Sequence, residues 1–175
     1  MQLTPSMEKF IVHWGEMGSR WGVNRTVAQI FALLVLSKDP MNAEQIVETL
    51  GVARSNASNS LKELQSLNLV SLNHKLGDRR DHFVAIKDCW DMLQILAEER
   101  KKREIDPTLE ILEQCLAEAK KDNQTPEYVS EQLQQMSDFM QTMSKWYQQM
   151  KQMDRKLLVK FFKVGSLLTS WLSKK

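Results

Sequence analysis

From Arg54 to Lys62 the chain reads Arg-Ser-Asn-Ala-Ser-Asn-Ser-Leu-Lys, with no acidic side chain in the run. Asparagine can bond bidentately to adenine, serine can bond to a base edge or a phosphate, and arginine and lysine supply charge. Such a strip suits nucleic acid only if one rigid element presents it. Ala57, Leu61 and Leu64 fall at helical spacing on the other side, which predicts a helix from about Ser55 to Asn68. A second basic group follows at Gly77-Asp78-Arg79-Arg80. The expected DNA-binding residues are therefore Arg54, Ser55, Asn56, Ser58, Asn59 and Lys62 on the helix, with Arg79 and Arg80 at an exposed tip.

The elements that must hold these residues follow from periodicity and punctuation. A helix over 6–20, capped by Ser6, carries Phe10, Ile11, Trp14 and Met17 on one face. Asn24 opens a second helix whose wide stripe of Val27, Ile30, Phe31, Leu34 and Val35 predicts a central, buried position. A short helix from Ala43 to Leu50 is capped by Asn42 and ended by Gly51. After Asn68 the period changes to two: Val70 to Lys75 and His82 to Ile86 read as strands of a hairpin, joined by a turn longer than two residues with a mobile tip. Helix, short helix, helix and hairpin in that order make a winged helix-turn-helix. In that arrangement the second helix of the pair enters the major groove and the wing reaches the neighbouring backbone or minor groove. The same pattern also serves winged helices that bind proteins and have no DNA role.

From Asp88 onward everything reads helical. Pro107 and Pro126 each stand at the first turn of a helix, the latter capped by Thr125. Apolar residues then recur at spacings of 4 and 3 from Val129 to Trp171, broken only by Asp154. A seam of that length implies helix-on-helix packing, within the chain or with a second copy. One straight helix over 126–173 would span about 72 Å, so a turn near 152–155, with Asp154 as cap, is expected. The fold class is mainly α: a winged helix-turn-helix with a small β-hairpin wing, plus a helical C-terminal dimerisation region. The expected domains are residues 1–23, a helix packing on the dimerisation region; 24–88, the DNA-binding domain; and 89–175, the dimerisation or effector region.

Composition narrows the class further. With 42% hydrophobic and 26% charged residues the chain is globular, not disordered or fibrous. The net charge of +2 conceals +3 over 54–87, −6 over 88–135 and +6 over 136–175. The basic block at 54–87 points to an anionic partner. Two cysteines, Cys89 and Cys115, fit a reducing, cytoplasmic setting and buried packing roles. The scattered His13, His74 and His82 offer no zinc spacing, and the methionines at 136, 140, 143, 150 and 153 read as adaptable core. No phosphate loop, nucleophile motif or paired carboxylates are present, so neither enzyme chemistry nor a cofactor is expected. No apolar run is long enough to span a membrane.

These residues also resemble a known family. The run from Ala43 to Val47 through Gly51-Val52, then Ser55, Leu61-Lys62-Glu63-Leu64 and Leu69-Val70, is similar to MarR-type winged-helix regulators. The run from Gly77 to Ile86 resembles their wing, an Asp-x-Arg turn leading into a strand. The resemblance implies that Asp78 orients Arg80 and that Arg80 enters the minor groove. Met17 to Gly22 and the long helical C-terminal half resemble the GbsR-like branch. That branch implies a choline or glycine betaine type of effector, held by aromatic faces through cation–π attraction. Trp14, Trp21, Trp146 and Tyr147 are the candidate ligand-binding residues, with core packing as their other reading. The partners expected are a second copy of the chain, double-stranded DNA with an inverted-repeat operator, and a small-molecule effector.

Overall fold

The computed structural model describes residues 1–122, 124–157, 160 and 164. Two compact units divide the chain, Met1–Glu99 and Arg100–Lys175. The division falls later than the expected boundary at 88, because Met92 and Ile95 still pack on the core of the first unit.

The first unit is built on α2 (Arg25–Leu36), whose Ile30 and Leu33 are completely buried and whose Asn24 caps it by accepting from the Thr26 amide. Each such side chain contributes roughly 1.5–3 kcal/mol by leaving water. Against it lies α1 (Pro5–Arg20), which Thr4 caps in place of the expected Ser6; Pro5 takes the first turn, where its missing N–H costs nothing. α1 runs uninterrupted through Gly15 and Gly18, and the reason is close packing. A Cβ on Gly18 would sit 2.5 Å from the Ala28 Cβ.

α3 (Ala43–Leu50) begins with a full capping box. The Asn42 side chain accepts from the Gln45 amide, and the Gln45 side chain accepts from the Asn42 amide. Gly51, at φ 64°, turns the chain into α4 (Arg54–Ser66). α4 seats Ala57, Leu61 and Leu64 in the core, all at most 2% exposed. Asn68 ends this segment in the left-handed conformation at φ 56°, as its residue type predicts.

The sheet has one strand more than expected. β1 (Met41–Asn42), β2 (Val70–Lys75) and β3 (Asp78–Ala85) pair antiparallel in the order β1-β3-β2. β1 is too short to show a period, so only its pairing of Met41 with Phe83 and Asn42 with His82 reveals it. The wing turn is also tighter than expected. Lys75 pairs with Asp78, leaving only Leu76 and Gly77 between the strands, with Gly77 at φ 82°. Asp78, Arg79 and Arg80 therefore stand on a paired strand rather than on a loose tip.

α5 (Cys89–Arg100) belongs to the first unit up to Glu99; the chain continues through a π turn, Lys101–Ile105, into α6 (Asp106–Ala119), and α7 (Glu127–Gln152) follows in the second unit. Asp88 caps α5 by accepting from the amides of Trp90 and Asp91. Pro107 accounts for the π turn, since it has no N–H for the carbonyl four residues back and its ring crowds that carbonyl. Lys101 Nζ closes the wide turn on Asp106 Oδ1 at 2.6 Å. Thr125 does not cap α7: its amide and hydroxyl both bond to Asp122, and Pro126 takes the cap position. α6 and α7 pack together in this unit.

α7 stops at Gln152, Met153 is extended at ψ 138°, and Asp154 Oδ1 accepts from the Lys156 amide, which is the expected break. Of the apolar seam, Phe161, Leu168 and Trp171 lie outside the described residues. The part on α7 divides between two faces. Of the seam residues, Val129, Leu133, Met140, Tyr147 and Met150 are half-buried and Met136 and Met143 are exposed, and the exposed Phe139 and Trp146, which lie outside the predicted seam, stand beside those two. Cys89 is exposed and Cys115 half-buried, so the expectation of burial fails for Cys89, which stands at the first position of a surface helix.

The α1–α2 contact yields a direct test. Alanine normally favours a helix over glycine, by close to 1 kcal/mol. Gly18→Ala is expected to destabilise the protein instead, by about 1–3 kcal/mol, because the new methyl meets a rigid neighbour. Urea unfolding read by circular dichroism measures the sign.

Candidate nucleic-acid interface

α4 places its polar residues as a helix with one seated side must. Arg54, Ser55, Asn56, Ser58, Asn59 and Lys62 are all exposed. Ala57, Leu61 and Leu64 fix the rotation of the helix, so these six side chains point away from the core. Ser60 is the exception among the polar residues of this run, buried on the flank of the apolar face. α4 also differs from α1, α2 and α3 in having no side-chain cap, since Ala53 holds that position, and like α2 it has no acid in its first turn. Its amide ends and the Arg54 charge add to one another at this end of the helix.

The wing stands beside this strip. One cleft of about 380 Å³ is lined by Arg54, Ser58 and Lys62 of α4, Arg80 and Asp81 of β3, and Asn42 and Glu44 at the start of α3. On its other flank, Asn56 and Asn59 share a groove with Asn24 and Thr26 at the start of α2. Arg79 is exposed on the wing as well.

Asp78 holds Arg80 in a closed pair. Arg80 donates from its amide to Oδ1 at 3.0 Å, from Nε to Oδ1 at 2.9 Å and from Nη2 to Oδ2 at 2.7 Å. Two parallel bonds from a planar guanidinium to one carboxylate fix its direction as well as its position. These bonds push the Asp78 carboxyl far below the usual carboxylate range and raise Arg80 above its ordinary value. The buried His82 ring lies behind the pair, with Nδ1 3.0 Å from the Arg80 carbonyl oxygen and Nε2 3.5 Å from Asp78 Oδ2.

The cleft also holds a residue that sequence reasoning missed. Glu44 Oε2 accepts from Arg80 Nη1 at 3.5 Å, and its Oε1 lies 3.9 Å from Arg54 Nη2. No sequence signal marks it, because Arg80 is 36 residues away and the approach depends on α3 crossing the base of the wing.

The four aromatic candidates are placed differently. Trp14 is half-buried, its ring 5.3 Å from that of Phe10 and packed on the core. Trp21 stands 60% exposed just past the end of α1. Trp146 and Tyr147 belong to α7 in the second unit, the first exposed and the second half-buried. Among the described residues no helix is long and apolar enough to cross a membrane.

Comparison with known proteins agrees with this geometry. Residues 21–81 match the model of the MarR family, a span that begins at Trp21 and ends inside β3. The HTH-type transcriptional repressor GbsR of Bacillus subtilis (strain 168) is 26% identical over 101 residues. That alignment covers 58% of this chain and 56% of the relative, so the chain matches little more than half of that protein's length. The crystal structure of a transcriptional regulator superposes with a TM-score of 0.61 at 16% identity, covering 91% of this chain and 99% of that one. At that identity the likeness is one of fold. The chain thus carries a MarR-like winged helix, and the proteins it matches are transcription regulators rather than enzymes.

The Asp78–Arg80 pair has a pH signature. A carboxyl whose folded pKa is lowered stabilises the fold fully above its unfolded value of about 4. That contribution is lost only as pH falls through the lowered folded value. The NMR resonance of the Arg80 Nε–H is therefore expected to keep its bonded shift from pH 7 down to pH 3. Asp78→Asn abolishes that shift at every pH.

Proposed function

We propose that this chain is a homodimeric, sequence-specific DNA-binding transcription regulator that acts in the cytoplasm. One observation carries the reading: six outward polar residues of α4 and the Asp78-braced Arg80 of the wing line adjoining parts of one surface. α4 would enter the major groove, with Asn56 and Asn59 facing base edges and Arg54 and Lys62 facing phosphates. Arg80, its Nε edge already committed to Asp78, would present Nη1 to a phosphate at the edge of the minor groove, and Arg79 would meet the adjacent backbone. The name of the Bacillus subtilis relative supports repression as the sign of regulation.

Dimerisation is supported by α7. Met136, Phe139, Met143 and Trp146 are spaced 3, 4 and 3 apart and are between 42% and 66% exposed. Such a stripe matches the seam of a helix that packs on another helix, and a second copy supplies one. Two copies would read an inverted repeat with half-sites about one helical turn, or roughly 34–36 Å, apart. The expected domain roles follow: the winged helix over 24–88 reads DNA, and the region after it pairs the copies. The resemblance to the GbsR-like branch adds a quaternary-ammonium osmolyte as effector, for which Trp21 and Trp146 keep accessible faces.

Two experiments test the reading. Selection from a random duplex pool is expected to return an inverted repeat, and Arg80→Ala combined with Asn59→Ala should weaken binding to it by about tenfold or more. Helix content and mass should not change. An unchanged affinity contradicts the DNA role and favours a protein-binding winged helix. Sedimentation should give twice the 20.4 kDa chain mass. Phe139→Asp should shift it toward the single-chain value, since a charge then enters the proposed seam.

A further inference from the structure

Glu44 has no role in the reading so far, yet it occupies the centre of the interface. Its two carboxylate oxygens face two different guanidinium groups, Arg54 of α4 at 3.9 Å and Arg80 of the wing at 3.5 Å. All three side chains are more than half exposed, Arg54 at 80% and the other two at 57%. An acid between two arginines is the arrangement a phosphate adopts when two arginines clamp it. The cleft around it is open to solvent and lined by Lys62 as well.

We infer that Glu44 is an internal stand-in for a DNA backbone phosphate, and that the duplex displaces it when a phosphate enters this cleft. The inference rests on the DNA reading above and deepens it. In the free protein the carboxylate holds the start of α4 and the base of the wing in converging positions. Exposed ion pairs of this length are weak, so exchange for a phosphate is easy. Once the phosphate has arrived, Glu44 remains nearby as a like charge. It therefore lowers the affinity for every duplex alike, operator or not, because phosphates are common to all sequences.

A purely structural role makes a different prediction. Glu44 lies in the first turn of α3, where an acid favours the helix dipole, and that role alone would affect stability and not DNA binding. Glu48 supplies the control. It lies one turn further along α3 and lines a different groove, with Met1, Gln2 and Glu8. Glu44→Gln and Glu48→Gln remove the same charge from the same helix, one inside the cleft and one outside it.

The experiment titrates the full chain and both variants with a selected operator duplex and with an unrelated duplex of equal length, over a range of salt. Glu44→Gln is expected to tighten both complexes by about three- to tenfold. It should also steepen the dependence of log K on log salt by about one. Glu48→Gln should change neither by more than twofold. If the unsubstituted chain binds no duplex, the DNA reading fails, and the role of Glu44 fails with it. If the chain binds but Glu44→Gln behaves like Glu48→Gln, or binds more weakly than the parent, the stand-in role alone is refuted.

Discussion

The seating of Ala57, Leu61 and Leu64 against α2 is the constraint from which the rest of the interface follows. A helix has one rotation about its axis to choose, and these three side chains choose it. Once they are buried, Arg54, Ser55, Asn56, Ser58, Asn59 and Lys62 are left on the exposed side of the helix. Their contribution to stability is small. Their orientation is nevertheless fixed by the core, which is how a polar strip becomes a rigid surface. The energy for this comes from α2, whose apolar residues are covered on several sides by α1, α3, α4 and the sheet.

The wing adds a second fixed point by a different force. Arg80 is held by paired charge-assisted bonds to Asp78 and not by burial. The two-residue turn at Leu76-Gly77 brings those side chains onto a paired strand, and β1 on the far side of β3 anchors that strand to the start of α3. The surface is therefore built from hydrophobic seating on one flank and a guanidinium–carboxylate pair on the other. Glu44 joins the flanks at the cleft between them.

Much of this was legible in the chain. The caps at Asn24, Asn42 and Asp88, the stop at Gly51 and the left-handed Asn68 each follow from a residue type with one conformational preference. The apolar face of α4 followed from spacing, and the stop of α7 near Asp154 followed from a length argument. What could not be read depended on contacts between distant segments. β1 has two residues and no period of its own. The tight wing turn was hidden because Asp78 to Arg80 look like loop residues until strand pairing claims them. Glycine is a poor helix former, and only the nearness of α2 shows why Gly15 and Gly18 stand inside α1, where they permit its packing. The seam along α7 was read as a single face, whereas the structure divides it between a half-buried side and an exposed one.

The central claim is that the outward strip of α4 and the wing together meet DNA. Its most direct test is to follow the side-chain amide resonances of Asn56 and Asn59 and the Nε–H of Arg80 while adding a selected duplex. The account predicts that all three move together and saturate at one duplex per two chains, with the side chains buried under α4 unchanged in packing. A duplex that binds while these three signals stay where they were would place the contact elsewhere on the molecule and contradict it.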